Sequence, residues 1–152
     1  MTMTLPQRMY LLMYNVDKEK FETHNLQFRG QKVRAAALAR LIGGGFVGLR
    51  EGKRRPRVVR KVSGAPDDSF LAEVWRQIPS EGPKDWLDLL HPYAHTAESS
   101  VREQLAAAGV ITIPPVRGLK RLSLLSQHEV RVNRPMTCAP SGGRYGSPYC
   151  GA

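Results

Sequence analysis

The strongest constraint on the fold of this chain is an arginine inside the apolar stripe of a predicted helix. Leu38, Leu41 and Ile42 form one face of that helix, and Arg34 projects within the same face, whereas Arg40 projects from nearly the opposite side. Two interpretations follow. Arg34 extends its stem along the stripe and reaches solvent, or it lies at the helix start, where free backbone N–H groups and neighbouring cations favour a bound anion.

A glycine triplet at 43–45 ends this helix, and the pattern then predicts two strands, 46–50 and 57–62, joined by a basic turn. The formal net charge of the chain is +10, and much of it lies in this hairpin. Such an excess indicates either a nucleic acid or an anionic membrane surface as partner, with a simple solvated loop as the alternative. The cations assigned to the surface of this hairpin are Lys53, Arg54, Arg55 and Arg57.

The remaining elements are predicted from caps and apolar spacing. Thr4 and Gln7 have capping-box spacing before the first helix, and Asp67 or Asp68 is expected to cap a later one. Thr96 is the expected cap of a helix that Gly109 closes. Between these, the pattern predicts an irregular connection over 16–30, helices over 70–78 and 84–90, a strand over 110–113 and a possible hairpin over 119–132.

Several classes of function are disfavoured by what the sequence contains. We expect no enzyme activity, cofactor or metal site, because no nucleophile elbow, phosphate loop, carboxylate pair or metal-ligand cluster is present. Cys138 and Cys150 lie in a Gly-, Pro- and Ser-rich segment and are expected to be free thiols. No apolar run reaches membrane-spanning length and no signal peptide is recognised, so a cytoplasmic location is expected.

The pattern alone leaves an alternative function open. The chain could be a winged-helix-like nucleic-acid-binding protein that uses the basic hairpin 50–61. An alanine-rich helix, a stop and a basic hairpin would suit such a domain. Its exposed helix face, however, offers mostly alanine where base-reading side chains are needed. Arg29, Lys32 and Arg40 could still contact phosphates without sequence preference.

The order of four segments resembles the Golgi phosphoprotein 3 family from about residue 4 to residue 134. The segments read LPQRMYLL at 5–12, VRAAALARL at 33–41, WLDLL at 86–90 and VREQLAAAGV at 101–110. The resemblance implies a mainly α fold, a helical bundle with surrounding amphipathic helices and one or two β-hairpins. It also implies a lipid-binding domain over 1–134, followed by a flexible Gly/Pro/Ser-rich tail over 135–152, with the family's further C-terminal helices missing or replaced and possible self-association.

The resemblance further implies a peripheral membrane adaptor at the cytoplasmic face of a membrane. Eukaryotic members bind phosphatidylinositol 4-phosphate and the cytosolic tails of membrane enzymes. The family's headgroup pocket combines a tryptophan with arginines, and its positions fall here on Arg34 and Arg102, with Asn25 replacing the tryptophan and Ser99 replacing an arginine. Another anionic lipid is therefore a candidate ligand. Leu122, Leu124 and Leu125 are candidates for shallow membrane insertion.

Overall fold

The first helix begins at the predicted capping box. The Thr4 N–H donates to Gln7 Oε1 at 2.9 Å, which satisfies one of the backbone donors that a helix start leaves free. The helix buries Gln7 and Tyr10 against the rest of the chain. The computed structural model describes residues 2–22, 26–115 and 130–133.

Five α-helices and three small antiparallel sheets make up this described part of the chain. The helices are α1 (Leu5–Leu12), α2 (Leu26–Gly43), α3 (Ser69–Arg76), α4 (Leu87–Leu90) and α5 (Ala94–Ala107). The strands are β1 (Tyr14–Asn15), β2 (Lys20–Phe21), β3 (Val47–Arg50), β4 (Arg57–Arg60), β5 (Lys84–Asp85), β6 (Ile111–Thr112) and β7 (Arg131–Val132).

Helix α2 lies at the centre of the helical core and contacts α1, α3, α4 and α5. Its residues Val33, Ala37 and Leu41 are fully buried, and they share one hydrophobic cluster with Val101 and Leu105 of α5. Burial of apolar surface at this spacing is what holds an amphipathic helix in place. The predicted apolar stripe of α2 is therefore a core face.

The closest approach of the two longest helices occurs at Gly30. A Cβ added at this position would lie 1.7 Å from the carbonyl oxygen of Ala94, far inside van der Waals contact. Only glycine, which has no side chain, allows the backbones of α2 and α5 to meet here. The helix pair is therefore fixed at a point where the sequence pattern predicted an irregular connection.

The sheets are antiparallel and short. Strands β1 and β2 form a hairpin after α1, and β3, β4 and β5 form a three-stranded sheet in that order. Strand β6 pairs with β7, with Ile111 opposite Val132. The Tyr14 hydroxyl donates to the Val130 carbonyl at 2.6 Å and so connects this last pair to the β1–β2 hairpin. Strands thus contribute more than a bundle with one or two hairpins would predict, and the fold is mixed, with a helical core.

Three boundaries differ from the prediction. Helix α2 begins at Leu26, within the expected connection 16–30, and the segment before it contains the β1–β2 hairpin. The expected helix 84–90 is divided, because Lys84 and Asp85 pair with β4 and only residues 87–90 are helical. Helix α5 starts at Ala94, and Thr96 is in its first turn, where its hydroxyl donates to the Tyr93 carbonyl at 2.9 Å.

Replacing Gly30 by alanine tests the close approach of α2 and α5. We expect Gly30→Ala to lower the free energy of unfolding by about 2 kcal/mol or more, because the new methyl group overpacks the contact with the Ala94 carbonyl. Urea unfolding followed by circular dichroism measures the change. Gly43→Ala is the matched control in the same helix, since nothing lies within 4 Å of its added Cβ. Equal unfolding midpoints for the two variants would contradict the proposed close contact.

Candidate functional site

The centre of the candidate site is a buried ion pair between α2 and α5. Arg29 Nε lies 3.2 Å from each carboxylate oxygen of Glu98, and Arg29 Nη2 lies 2.9 Å from Oε1. Both residues are almost fully buried, with 1% and 4% of their surfaces exposed. The guanidinium also lies over the Phe21 ring, 4.3 Å from its centroid. A buried charge is tolerable only with such partners.

A second guanidinium, Arg102, lies one helical turn after Glu98 on the same face of α5. It is 9% exposed, and its Nε is buried with no hydrogen-bond partner among the described residues. The hydroxyl of Tyr10 is also buried and lies beside Arg102, whose side chain lowers the pKa of Tyr10 through its charge and a hydrogen bond. Buried polar atoms in folded proteins are nearly always paired. The unpaired donor on Arg102 therefore marks a place where an acceptor would be stabilising.

The pKa of the Tyr10 hydroxyl depends on burial and on the charged side chains around it. Burial raises the pKa of Tyr10 most strongly, Glu98 raises it further, and Arg102 and Arg29 lower it. These described charges near the hydroxyl are one carboxylate and two guanidiniums, so their sum is positive. We refer to Tyr10, Arg29, Glu98 and Arg102 as the buried cationic cluster.

Arg34, the residue singled out by the apolar stripe, has a different environment. It is 1% exposed, and its guanidinium donates to the Leu89 carbonyl and to the side-chain oxygen of Gln77. The Tyr93 ring lies 6.0 Å from it. Burial lowers the pKa of Arg34, while Glu73 raises it. Arg34 thus connects α2 to the C-terminal ends of α3 and α4, where free carbonyls favour a cation.

Neither sequence interpretation of Arg34 is correct, because Arg34 does not reach solvent and neither it nor Arg102 lies at a helix start. Each is eight positions after the first residue of its helix, about two turns inside. The described contacts of the two arginines have no residue in common. Of the other two predicted headgroup residues, Ser99 is half-buried on α5, and Asn25 lies outside the described residues.

The basic hairpin is present as predicted. Strands β3 and β4 pair over their full length, with Val47 opposite Arg60 and Arg50 opposite Arg57. Arg60 is not free in solvent, because its guanidinium lies over the Trp75 ring at 3.9 Å and donates to the Arg76 carbonyl at 2.9 Å. The cations that the turn exposes are Lys53, Arg54, Arg55 and Arg57.

Other predicted features give few further constraints. Leu122, Leu124 and Leu125 lie outside the described residues. Among the described residues, no three histidine, cysteine, aspartate or glutamate side chains could hold a metal ion together. None of the described helices has both the length and the apolar character needed to cross a bilayer.

The prediction did not identify Arg29, Glu98 or Tyr10 as site residues. One signal was available in the sequence: Glu98 and Arg102 are four residues apart, a spacing that places opposite charges on one helix face. The partner of Glu98 could not be inferred in this way, because Arg29 is 69 positions away in the sequence.

The described residues thus form a helical core around a buried cationic cluster, with an exposed basic hairpin beside it. The family model for Golgi phosphoprotein 3 (GPP34) matches residues 5–139. The chain belongs to this family, as its motif order predicted. No individually curated protein matches the chain significantly.

Glu98→Gln tests whether the cluster depends on its carboxylate. We expect the variant to lose about 3–5 kcal/mol of unfolding free energy, because the buried Arg29 would lose the charge of the carboxylate that faces it. Chemical unfolding measures this loss. Glu103→Gln, an exposed change on the same helix, is the control and should alter stability by less than about 0.5 kcal/mol. Similar losses for both variants would show that Glu98 has no special role.

The raised pKa of Tyr10 predicts a specific alkaline instability. The unfolded chain releases this proton near pH 10 and the folded chain only at higher pH. The contribution of Tyr10 to the free energy of unfolding is therefore fully present below pH 10. Above pH 10 this contribution falls by about 1.4 kcal/mol per pH unit. Tyr10→Phe should remove this part of the loss, while other groups titrate equally in both proteins. Unfolding curves of both proteins, recorded from pH 9 to 11, measure the difference. An equal loss of unfolding free energy in the two proteins would contradict the prediction.

Proposed function

We propose that this protein is a peripheral membrane-binding adaptor that recognises an anionic lipid headgroup. Its family membership supports a Golgi phosphoprotein 3-like role. The family is not a known enzyme family, and no reaction is proposed. The observation that carries the proposal is the positive charge of the buried cationic cluster, with the Arg102 Nε lacking a described acceptor.

A lipid phosphate is the acceptor that we propose for Arg102. A guanidinium binds phosphate through charge-assisted hydrogen bonds, and Arg102, Arg29 and Glu98 together have a net positive charge, because Glu98 offsets only one of the two guanidiniums. Ser99 lies three positions before Arg102, on the same side of α5, and its hydroxyl can donate to the same headgroup. Because Arg29 is already paired with Glu98, we assign it to the electrostatics of the site rather than to direct contact.

The predicted headgroup set also includes Arg34 and Asn25. Two nitrogens of Arg34 already donate to protein acceptors, so we propose that it mainly fixes α2 against α3 and α4. A direct contact of Arg34 with phosphate stays a prediction. Asn25 belongs to the same proposal through the family resemblance alone.

The exposed cations of the basic hairpin supply the second part of the proposal. Each lysine or arginine near an anionic membrane surface contributes about 1 kcal/mol of attraction. Dissolved salt screens this attraction over a distance that falls from about 10 Å to a few ångströms as the salt concentration rises. Lys53, Arg54 and Arg57 extend from the turn between β3 and β4 and can act in this way. We infer reversible, salt-sensitive association with the cytoplasmic face of a membrane, where the cytosolic tails of membrane enzymes are candidate protein partners.

The phosphoinositide of the eukaryotic members, phosphatidylinositol 4-phosphate, is one candidate ligand. With Asn25 and Ser99 at pocket positions, the aromatic wall and one arginine of the family pocket are absent from this chain. Other anionic phospholipids are therefore equal candidates. The nucleic-acid alternative is less favoured, because α2 contacts four other helices and offers alanines on its exposed face.

Vesicle flotation tests the proposal directly. We expect the wild-type protein to float with vesicles containing phosphatidylglycerol or phosphatidylinositol 4-phosphate and not with phosphatidylcholine alone. Arg102→Gln should weaken this association about tenfold or more, which corresponds to one charge-assisted hydrogen bond of about 1.5–3 kcal/mol. Arg40→Gln removes an exposed cation from α2 and is the matched control.

Two outcomes would count against the proposal. If no vesicle retains the wild-type protein while a DNA duplex binds tightly, the nucleic-acid alternative is correct. If Arg102→Gln and Arg40→Gln reduce flotation equally, general surface charge explains the association and Arg102 has no specific role. Circular dichroism of each variant establishes that the comparison is between folded proteins.

A further inference from the structure

An apolar groove lies between α2 and the basic hairpin. It has a volume of about 290 Å³. Three residues of α2 at helical spacing, Ala35, Ala39 and Ile42, line one wall. Leu49 of β3 and the following turn form the opposite wall, and the half-buried Trp86 contributes to the lining. Leu49 is 56% exposed and Ile42 is 36% exposed, so apolar surface here meets solvent.

The groove shares two lining residues with a cationic cavity in the turn of the hairpin. That second cavity has a volume of about 370 Å³ and is lined by residues 49–56. Leu49 and Pro56 line both spaces. The turn is tight, because a Cβ on Gly52 would lie 2.3 Å from the Arg55 carbonyl oxygen. An apolar groove and a basic cavity are thus neighbours at Leu49 and Pro56.

The charges of the turn cavity favour an anion. Its lining contains four cations, Arg50, Lys53, Arg54 and Arg55, and one carboxylate, Glu51. Arg55 has a distant ion-pair partner, Asp85, at 3.9 Å. The other three cations have no described ion pair with a carboxylate. A ligand that suits both spaces has an apolar chain and a negatively charged end.

We propose that the groove and the turn cavity together bind one anionic phospholipid, with an acyl chain in the groove and the phosphate at the turn. This inference rests on the membrane role proposed above, and it adds a binding site separate from Arg102. The size of the groove favours a small amphiphile over a protein. A stable protein–protein interface uses about 20–30 residues on each side, whereas nine residues line this groove.

A second copy of the chain is disfavoured by charge. Two copies that meet at this face would bring two basic turns together, and each chain has a formal net charge of +10. Like charges at an interface oppose association. An anionic lipid instead neutralises the turn and covers the exposed apolar wall.

Calorimetry with a single-chain lipid below its micelle concentration tests this site. We expect lysophosphatidylglycerol to bind protein that carries Arg102→Gln, which removes the headgroup contact proposed above, with one-to-one stoichiometry. Lysophosphatidylcholine should bind about tenfold more weakly, because its zwitterionic head lacks net negative charge. Glycerol 3-phosphate should show no binding, since it lacks the chain that the groove accepts.

Ala39→Trp blocks the groove without a change of charge. Ala39 is exposed, so the larger side chain can fill the groove without disturbing the core. We expect this variant to bind lysophosphatidylglycerol at least about tenfold more weakly. Ala107→Trp makes the same substitution at an exposed position of α5 outside the groove and should bind like wild type.

The outcomes separate this inference from the proposed function. If wild-type protein floats with anionic vesicles but Ala39→Trp binds the lysolipid normally, the groove assignment is wrong and the peripheral membrane role stands. If no vesicle retains wild-type protein, the membrane role itself fails. Light scattering that shows a wild-type dimer, and an Ala39→Trp monomer, would make the groove a self-interface and overturn the lipid assignment.

Discussion

The buried ion pair between Arg29 and Glu98 is the interaction on which the arrangement of this protein depends. Two charges removed from water are strongly unfavourable unless each compensates the other. Their pairing therefore fixes how α2 lies against α5, at the point where Gly30 allows the backbones to touch. The Phe21 ring under the guanidinium brings the β1–β2 hairpin to the same centre. The ion pair, the contact at Gly30 and the Phe21 ring thus together fix the relative positions of α2, α5 and the β1–β2 hairpin.

The environment of each cation determines its role in this basic protein. Arg29 is neutralised by a carboxylate, and Arg34 and Arg60 are held by backbone carbonyls and aromatic rings. Arg102 is close to full burial yet lacks a described acceptor for its Nε, whereas Lys53 is exposed and screened by solvent. Net charge alone therefore overstates the number of cations available to a partner. Among the described residues, exposed cations such as Lys53 and Arg40 stay accessible to a partner.

Family membership and local geometry constrain different aspects of function. The match over residues 5–139 establishes the class of protein, while the ligand depends on individual side chains around each proposed site. In the proposed function, Arg102 of the buried cationic cluster binds a phosphate at a nearly buried position. The groove beside the basic hairpin suits a molecule with an apolar chain and an anionic end. Both features fit contact with an anionic membrane, and they use separate parts of the chain.

Local patterns in the sequence were sufficient to predict the capped start of α1, an aspartate cap of α3 at position 67 or 68, the glycine stop of α2 and the β3–β4 hairpin. Each depends on interactions between near neighbours in the chain. The start of α2, the added strand β5 and the role of Arg34 depended on the tertiary structure. They arise from contacts such as Arg29 with Glu98, 69 residues apart, and Arg34 with Leu89, 55 residues apart. Periodicity and capping report only local preferences, so the partner of a buried charge becomes evident only when the helices are packed.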